Sequence, residues 1–171
     1  MLQESKRILG IDPGLATTGI SVIEYSLRGT YKTLYCGCIE TLKNKKTEQR
    51  LSEIYYFIND IILEFKPSCL AVEEIFFTSN AKTVINVGQA RGVVLLCANN
   101  NNISVFEYTP LEVKQAIVGY GRATKDQVKY MVKALLKVDE SYFPKKDDAW
   151  DSLAIAICHA NSSRFNKIIK K

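Results

Sequence analysis

The sequence predicts an open α/β fold, a mixed five-stranded sheet flanked by helices on both faces. Three observations lead there. Strand-like stretches near 7–12, 17–25 and 31–41 follow one another through turns so short that they imply an antiparallel meander. Beyond them, helical periodicity alternates with two further buried strands, near 69–74 and 103–107. At 171 residues the chain is long enough to bury one substantial core as a single domain, 1–171.

The elements follow in order. Pro13-Gly14 turns the first strand into the second, and Arg28-Gly29-Thr30 the second into the third. Leu51, Ile54, Tyr55, Ile58, Ile61, Ile62 and Phe65 recur at helical spacing over 47–65, and Pro67 stops that helix. A second helix is expected over about 79–98, and Asn99-Asn100-Asn101-Asn102 reads as the turn after it. Thr109-Pro110-Leu111-Glu112 joins a capping box to a proline at the first helical position. Thr124 with Gln127 repeats that cap for a helix over 125–137. A polar connection at 139–147 precedes a last helix at about 148–161, and a basic, frayed tail is expected from about 163. Right-handed crossovers allow the first and fourth strands to lie side by side and parallel. Asp12 and Glu73 then meet at the carboxyl edge of the sheet, where open α/β proteins build their sites.

Composition narrows the function classes. The chain is 47% hydrophobic and 24% charged, ordinary for a globular protein. No apolar run approaches a membrane span and no signal-peptide core opens the chain, so a cytoplasmic protein is expected. Five cysteines form no CxxC pair and a single histidine is present, which points to reduced, buried thiols rather than a zinc site. The net charge of +5 is a moderate sign of a polyanionic partner.

Four carboxylates carry the chemistry. Asp12 closes the apolar run Ile8-Leu9-Gly10-Ile11, and Glu73 closes Cys69-Leu70-Ala71-Val72. Asp148 and Asp151, three apart and hence on one helix face, head Leu153-Ala154-Ile155-Ala156-Ile157. Each acid alone reads as a helix cap or a strand-end charge. An acid in a first helical turn gains only about 0.3–1 kcal/mol from the macrodipole, too little to explain two against a buried helix. Together the four favour a shared hard cation, because uncompensated buried acids cost several kcal/mol. Glu74 points to the opposite strand face from Glu73, and the three-residue spacing favours Asp148 over its neighbour Asp147. His159 is expected to be a core or surface histidine rather than a base.

The order and spacing of several segments carry a resemblance that runs from Arg7 to about Ala160. They are Ile11-Asp12-Pro13-Gly14 with Thr18-Gly19, Val72-Glu73-Glu74-Ile75-Phe76, Asn80-Ala81, Gly88-Gln89-Ala90-Arg91-Gly92 and Phe106-Glu107-Tyr108. Val113-Lys114-Gln115, Val118-Gly119 and Asp148-Ala149-Trp150-Asp151-Ser152-Leu153-Ala154 complete the set. Together they resemble the RuvC-type Holliday junction resolvases, crossover junction endodeoxyribonucleases of the ribonuclease H-like superfamily.

That resemblance implies paired, metal-dependent nicks in four-way DNA junctions during recombination and repair, leaving 5′-phosphate and 3′-hydroxyl ends. It makes Asp12, Glu73, Asp148 and Asp151 the catalytic metal ligands, with Asp12 bridging two Mg²⁺ ions that Mn²⁺ can replace. Lys114 and Lys125 fall at positions expected to contact junction phosphates. Phe76, beside Phe77, is the candidate wedge at the crossover. Tyr120 and Arg122, on the Gly119-Tyr120-Gly121-Arg122 loop, are candidates for stacking on a base and holding phosphate. A homodimer, a branch-migration motor of RuvA and RuvB, and a nucleoid-associated location in the cytoplasm are implied as well. The helix stripe Val84, Val87, Gly88, Arg91, Gly92 and Leu95 offers close backbone approach, to the sheet or to a second subunit.

Three rivals are weighed against this. An actin-like ATPase or sugar kinase would share a first phosphate loop like Ile11-Asp12-Pro13-Gly14, but needs a second loop and an adenosine pocket that 171 residues do not supply. A related nuclease acting on RNA keeps the acids. A non-catalytic junction-binding scaffold would keep the basic surface and lose them.

Overall fold

The computed structural model describes residues 6–26, 29–74, 81–137 and 145–169, without the side chains of residues 82 and 164–169. Much of the connection expected at 139–147 lies outside the described residues, as does Arg28 of the second turn. Strands β1 (Lys6–Asp12), β2 (Thr17–Tyr25) and β3 (Tyr31–Glu40) precede helix α1 (Thr47–Phe65) and strand β4 (Cys69–Glu73). Helix α2 (Ala81–Asn100), strand β5 (Ser104–Tyr108) and helices α3 (Pro110–Val118), α4 (Lys125–Leu136) and α5 (Asp147–Ile169) follow.

The sheet order is β3-β2-β1-β4-β5. β1–β2 and β2–β3 are antiparallel, whereas β1–β4 and β4–β5 are parallel. This is the mixed five-stranded sheet that the sequence predicts, with the first and fourth strands adjacent and parallel.

Strand side chains alternate between the two faces. Ile8 and Ile23, with Cys69 and Ala71, lie under α3, α4 and α5, in one apolar core with Val113, Val132 and Ile157. Leu9, Ile11, Ile20, Val22, Leu70 and Val72 face the other way, onto Ile54, Ile58 and Ile62 of α1 and Val94 and Cys97 of α2. Both sheet faces are therefore covered, as parallel strands buried on two sides require.

Helix ends follow the expected caps. The Thr109 amide donates to Glu112 Oε2 (2.8 Å), and the Glu112 amide donates back to Thr109 Oγ1 (3.2 Å). Thr124 and Gln127 make the same reciprocal pair at 2.9 and 3.3 Å. At the end of α1, Lys66 turns into the left-handed region at φ 49°, and Arg7 Nη1 donates to the Phe65 carbonyl (2.8 Å). Three features differ from expectation. α2 runs through Asn100, so Asn99 and Asn100, expected in the turn, close the helix, and the turn begins at Asn101. α5 runs past the end expected near 161, so the segment from 163 is helical as far as Ile169. Along α2 the buried stripe is Ala90, Val94, Cys97 and Ala98, while Gly92 is exposed with open space where a side chain would stand. Gly92 therefore serves no close approach to the sheet.

Candidate active site

Alternation along two parallel strands brings the first two acids together. Ile11 pairs with Val72, so one further residue sets Asp12 beside Glu73 at the carboxyl ends of β1 and β4. Asp12 lies on the face of Ile8, and Glu73 on the face of Cys69 and Ala71. That is the face α5 covers. Glu74 alternates away from it, and its amide donates to the Tyr108 carbonyl (2.9 Å).

α5 reaches this edge because two glycines let it. A Cβ on Gly10 would collide with the Ser152 carbonyl and Ala156 Cβ, and one on Gly19 with the Asp148 carbonyl. The helix backbone thus lies against bare strand backbone at both points, which draws its first turns over Asp12. Nothing in a single sequence separates these packing glycines from turn glycines. The only signal is that both sit inside strand patterns, where a glycine marks close backbone approach.

The result is a cavity of about 330 Å³ that holds Asp12, Glu73 and Asp151 with Lys114 and Lys125. Burial, then repulsion from Glu73, Asp151 and Asp148, pushes the Asp12 carboxyl up to about 8. Glu73 is raised by burial and by Asp151, with Lys125 and Lys114 pulling it back. Asp151 is raised chiefly by burial, while Lys125 opposes the rise through an ion pair from Nζ to Oδ2 at 3.0 Å.

Asp148 borders the far side of the site, on a neighbouring groove with Gly14 and Thr17, yet remains close enough to raise Asp12. Asp147 faces α4 instead, where Lys129 Nζ lies 3.7 Å from Oδ1. Among the described residues no three His, Cys, Asp or Glu side chains close into a compact metal cluster. The acids instead ring an open cavity. Their oxygen-only donor set still suits a hard divalent cation, and the raised Asp12 carboxyl is the response expected where like charges await one.

The other candidates divide. Lys114 and Lys125 reach the acids' cavity, whereas Tyr120 and Arg122 do not line it. Tyr120 is half-exposed, and its hydroxyl donates to Gln127 Oε1 (2.8 Å), which ties the loop to the cap of α4. Phe76 and Phe77 lie outside the described residues. His159 is buried against Phe106, with Nδ1 2.7 Å from the Tyr108 hydroxyl, and burial lowers it to about 4. It lines a different cavity from the acids, as a core histidine would.

The family described as Crossover junction endodeoxyribonuclease RuvC matches residues 8–159. The chain belongs to the RuvC family. A RuvC from Desulforamulus reducens is 50% identical over 95% of this chain and 99% of its own length. One from Alkaliphilus oremlandii is 49% identical over 95% and 98%. Among solved structures, Thermus thermophilus RuvC in complex with Holliday junction substrate superposes with a TM-score of 0.89 at 32% identity, covering 94% of this chain and 96% of that one. The yeast mitochondrial Holliday junction resolvase Ydc2 matches with a TM-score of 0.69 at 13% identity, covering 99% and 87%, and shares the fold. Membership in the RuvC family removes the actin-like ATPase from contention. No helix among the described residues is long and apolar enough to cross a membrane.

Proposed function

We propose that this RuvC family member is the cell's Holliday junction endonuclease, nicking two strands of a four-way DNA junction in a metal-dependent reaction. Asp12, Glu73, Asp148 and Asp151 are its metal ligands. One observation carries the reading: three acids from distant parts of a RuvC-family chain converge in one cavity that also holds two lysines.

Asp12 is central to the set and repelled by the other three acids, so it would share with them the holding of the divalent cations. Magnesium held there would supply an acidified water and neutralise charge on the departing 3′ oxygen. The protein does the rest. Lys114 and Lys125 hold the scissile phosphate in the cavity as point charges, and Lys125 exchanges its Asp151 partner for that phosphate. Val113, Val128 and Ile155 give the cavity an apolar wall beside the acids. Water adds to phosphorus and the O3′–P bond breaks, giving a 5′-phosphate and a 3′-hydroxyl. His159, neutral and in another cavity, takes no part in proton transfer.

Two matched nicks call for two sites related by a two-fold axis, so the working form is a homodimer. Mn²⁺ substitutes for Mg²⁺ on the same oxygen ligands. The setting is the cytoplasmic nucleoid, alongside a RuvA and RuvB branch-migration motor. The test compares a four-way junction, a matched linear duplex and an RNA–DNA hybrid, each with and without Mg²⁺. Paired nicks in the junction alone are expected. Equal cutting of the linear duplex would leave a nuclease and remove the resolvase, and cutting of the hybrid alone would make RNA the substrate.

A further inference from the structure

Beside the acids' cavity lies a second, roomier depression that the reaction described above does not use. This groove, about 620 Å³, runs between the β1–β2 turn, the start of α1 and the first turns of α2, and Asp148 forms its border with the active site. That volume falls in the range that holds a ligand of nucleotide size.

Its chemistry is mixed in a way that suits a nucleotide. Leu15 and Ala16 give one wall an apolar surface, and Lys43 and Arg50 bring two cations against the single acid Asp148. Arg50 is held in place: Nε donates to Thr41 Oγ1 (2.7 Å) and Nη2 to the Leu15 carbonyl (3.1 Å). Thr41 Oγ1 itself donates to that carbonyl (2.5 Å). A guanidinium has five N–H donors, so this anchored one retains others for a phosphate. Asn86 also lines the groove, and its side chain makes no hydrogen bond among the described residues. A carboxamide with an unspent donor and acceptor is the group that reads a base edge in pairs.

We infer that this groove receives an unstacked nucleotide of the strand being cut, next to the scissile phosphate, with Asn86 reading its base and Lys43 and Arg50 holding its backbone. The inference rests on the proposed junction-cleaving function and deepens it, since it places base selectivity on α2 rather than beside the lysines. Opening a base forfeits its stacking, and the apolar wall of Leu15 and Ala16 offsets part of that loss.

The first experiment varies the base at each nucleotide flanking the cut in otherwise identical junctions. The wild type should discriminate at one flanking position by about 5- to 100-fold. Asn86→Ala should flatten that position and leave junction affinity in place. Lys43→Gln should slow all sequences alike and reduce the salt slope of binding by about one. The second experiment needs no cleavage. With 2-aminopurine at the selected position and Ca²⁺ as the cation, binding of the wild-type dimer should raise the fluorescence through unstacking. Ala16→Trp, an exposed position that fills the groove, should abolish the rise while the junction still binds.

An unchanged base profile in Asn86→Ala, or a fluorescence rise that survives Ala16→Trp, overturns the inference, as does a wild type with no base preference. A wild type that unstacks the base in the groove but nicks nothing with Mg²⁺ would instead sink the proposed function and leave the groove.

Discussion

At Asp12, burial and three neighbouring acids act in one direction and raise the carboxyl from 3.8 to about 8. The folded, metal-free protein therefore binds a proton that the unfolded chain has released between those values. Stability then falls as pH rises through that window. A divalent cation removes the penalty, so Mg²⁺ should raise the melting temperature more at pH 8 than at pH 6. Asp12→Asn should stabilise the metal-free protein at pH 8 by about 2–4 °C for each kcal/mol of repulsion relieved. The same substitution should abolish cleavage while junction binding persists. A Mg²⁺ shift that is equal at the two pH values would contradict the assignment of Asp12. For Lys125, loss of the ammonium removes the group that lowers Asp151 and Glu73. Lys125→Gln should cut turnover by about 10- to 100-fold, beyond its severalfold effect on junction affinity, if the cation acts at the scissile phosphate.

At the scale of elements, α5 sits where it does because of what β1 and β2 lack. Gly19→Ala would drive a methyl into the Asp148 carbonyl, and backbone cannot yield as a side chain does. Overpacking of this kind costs about 1–3 kcal/mol. The melting temperature should fall by about 2–4 °C per kcal/mol, as read by calorimetry, and cleavage should fall with it because Asp148 and Asp151 ride on the displaced helix. The comparison substitution is Gly92→Ala on α2, where a Cβ meets open space. It should leave monomer stability unchanged or slightly raised, through better helix propensity. α4 braces α5 from the other side: Lys129 and Lys133 lie 5.3 and 5.5 Å from the Trp150 ring, and Lys125 and Lys129 pair with Asp151 and Asp147.

For the whole molecule, the proposed two-fold assembly needs a surface, and α2 presents one. Ile85 and Leu96 are 60% and 54% exposed on the same helix as exposed Gly92. Large apolar side chains grouped in this way mark contact surfaces when they are contiguous. Ile85→Arg combined with Leu96→Glu should shift the protein toward monomer in sedimentation. The paired nicks should then become uncorrelated single nicks at a similar chemical rate per site. A monomeric variant that still cuts both strands in concert would remove the dimer from the mechanism. The net charge of +5, together with the lysines around the site, also predicts junction affinity that falls steeply with salt.

Much of this architecture was legible before any coordinate, because it is written in local patterns. Alternation over 7–12 and 69–74 put Asp12 and Glu73 at strand ends, and the register of Ile11 with Val72 places them side by side. The capping boxes at Thr109 and Thr124 located two helix starts from four residues each. Other features depend on residues far apart in the chain and had no local trace. The collision avoided at Gly10 and Gly19, the pairing of Lys125 with Asp151, and the position of Asp148 between two depressions are of that kind. The continuation of α5 to Ile169 was missed because its basic composition reads as a solvated end.

The sequence by itself determined the strands, the helices and the family, and singled out the four acids as candidates, since periodicity, capping and spacing act within a few residues. Only the tertiary structure decided how tightly α5 presses on the sheet, which cation meets which acid, and where a second groove opens beside them. Those outcomes are set by side chains meeting across the core, where packing and charge depend on distance in space rather than distance along the chain.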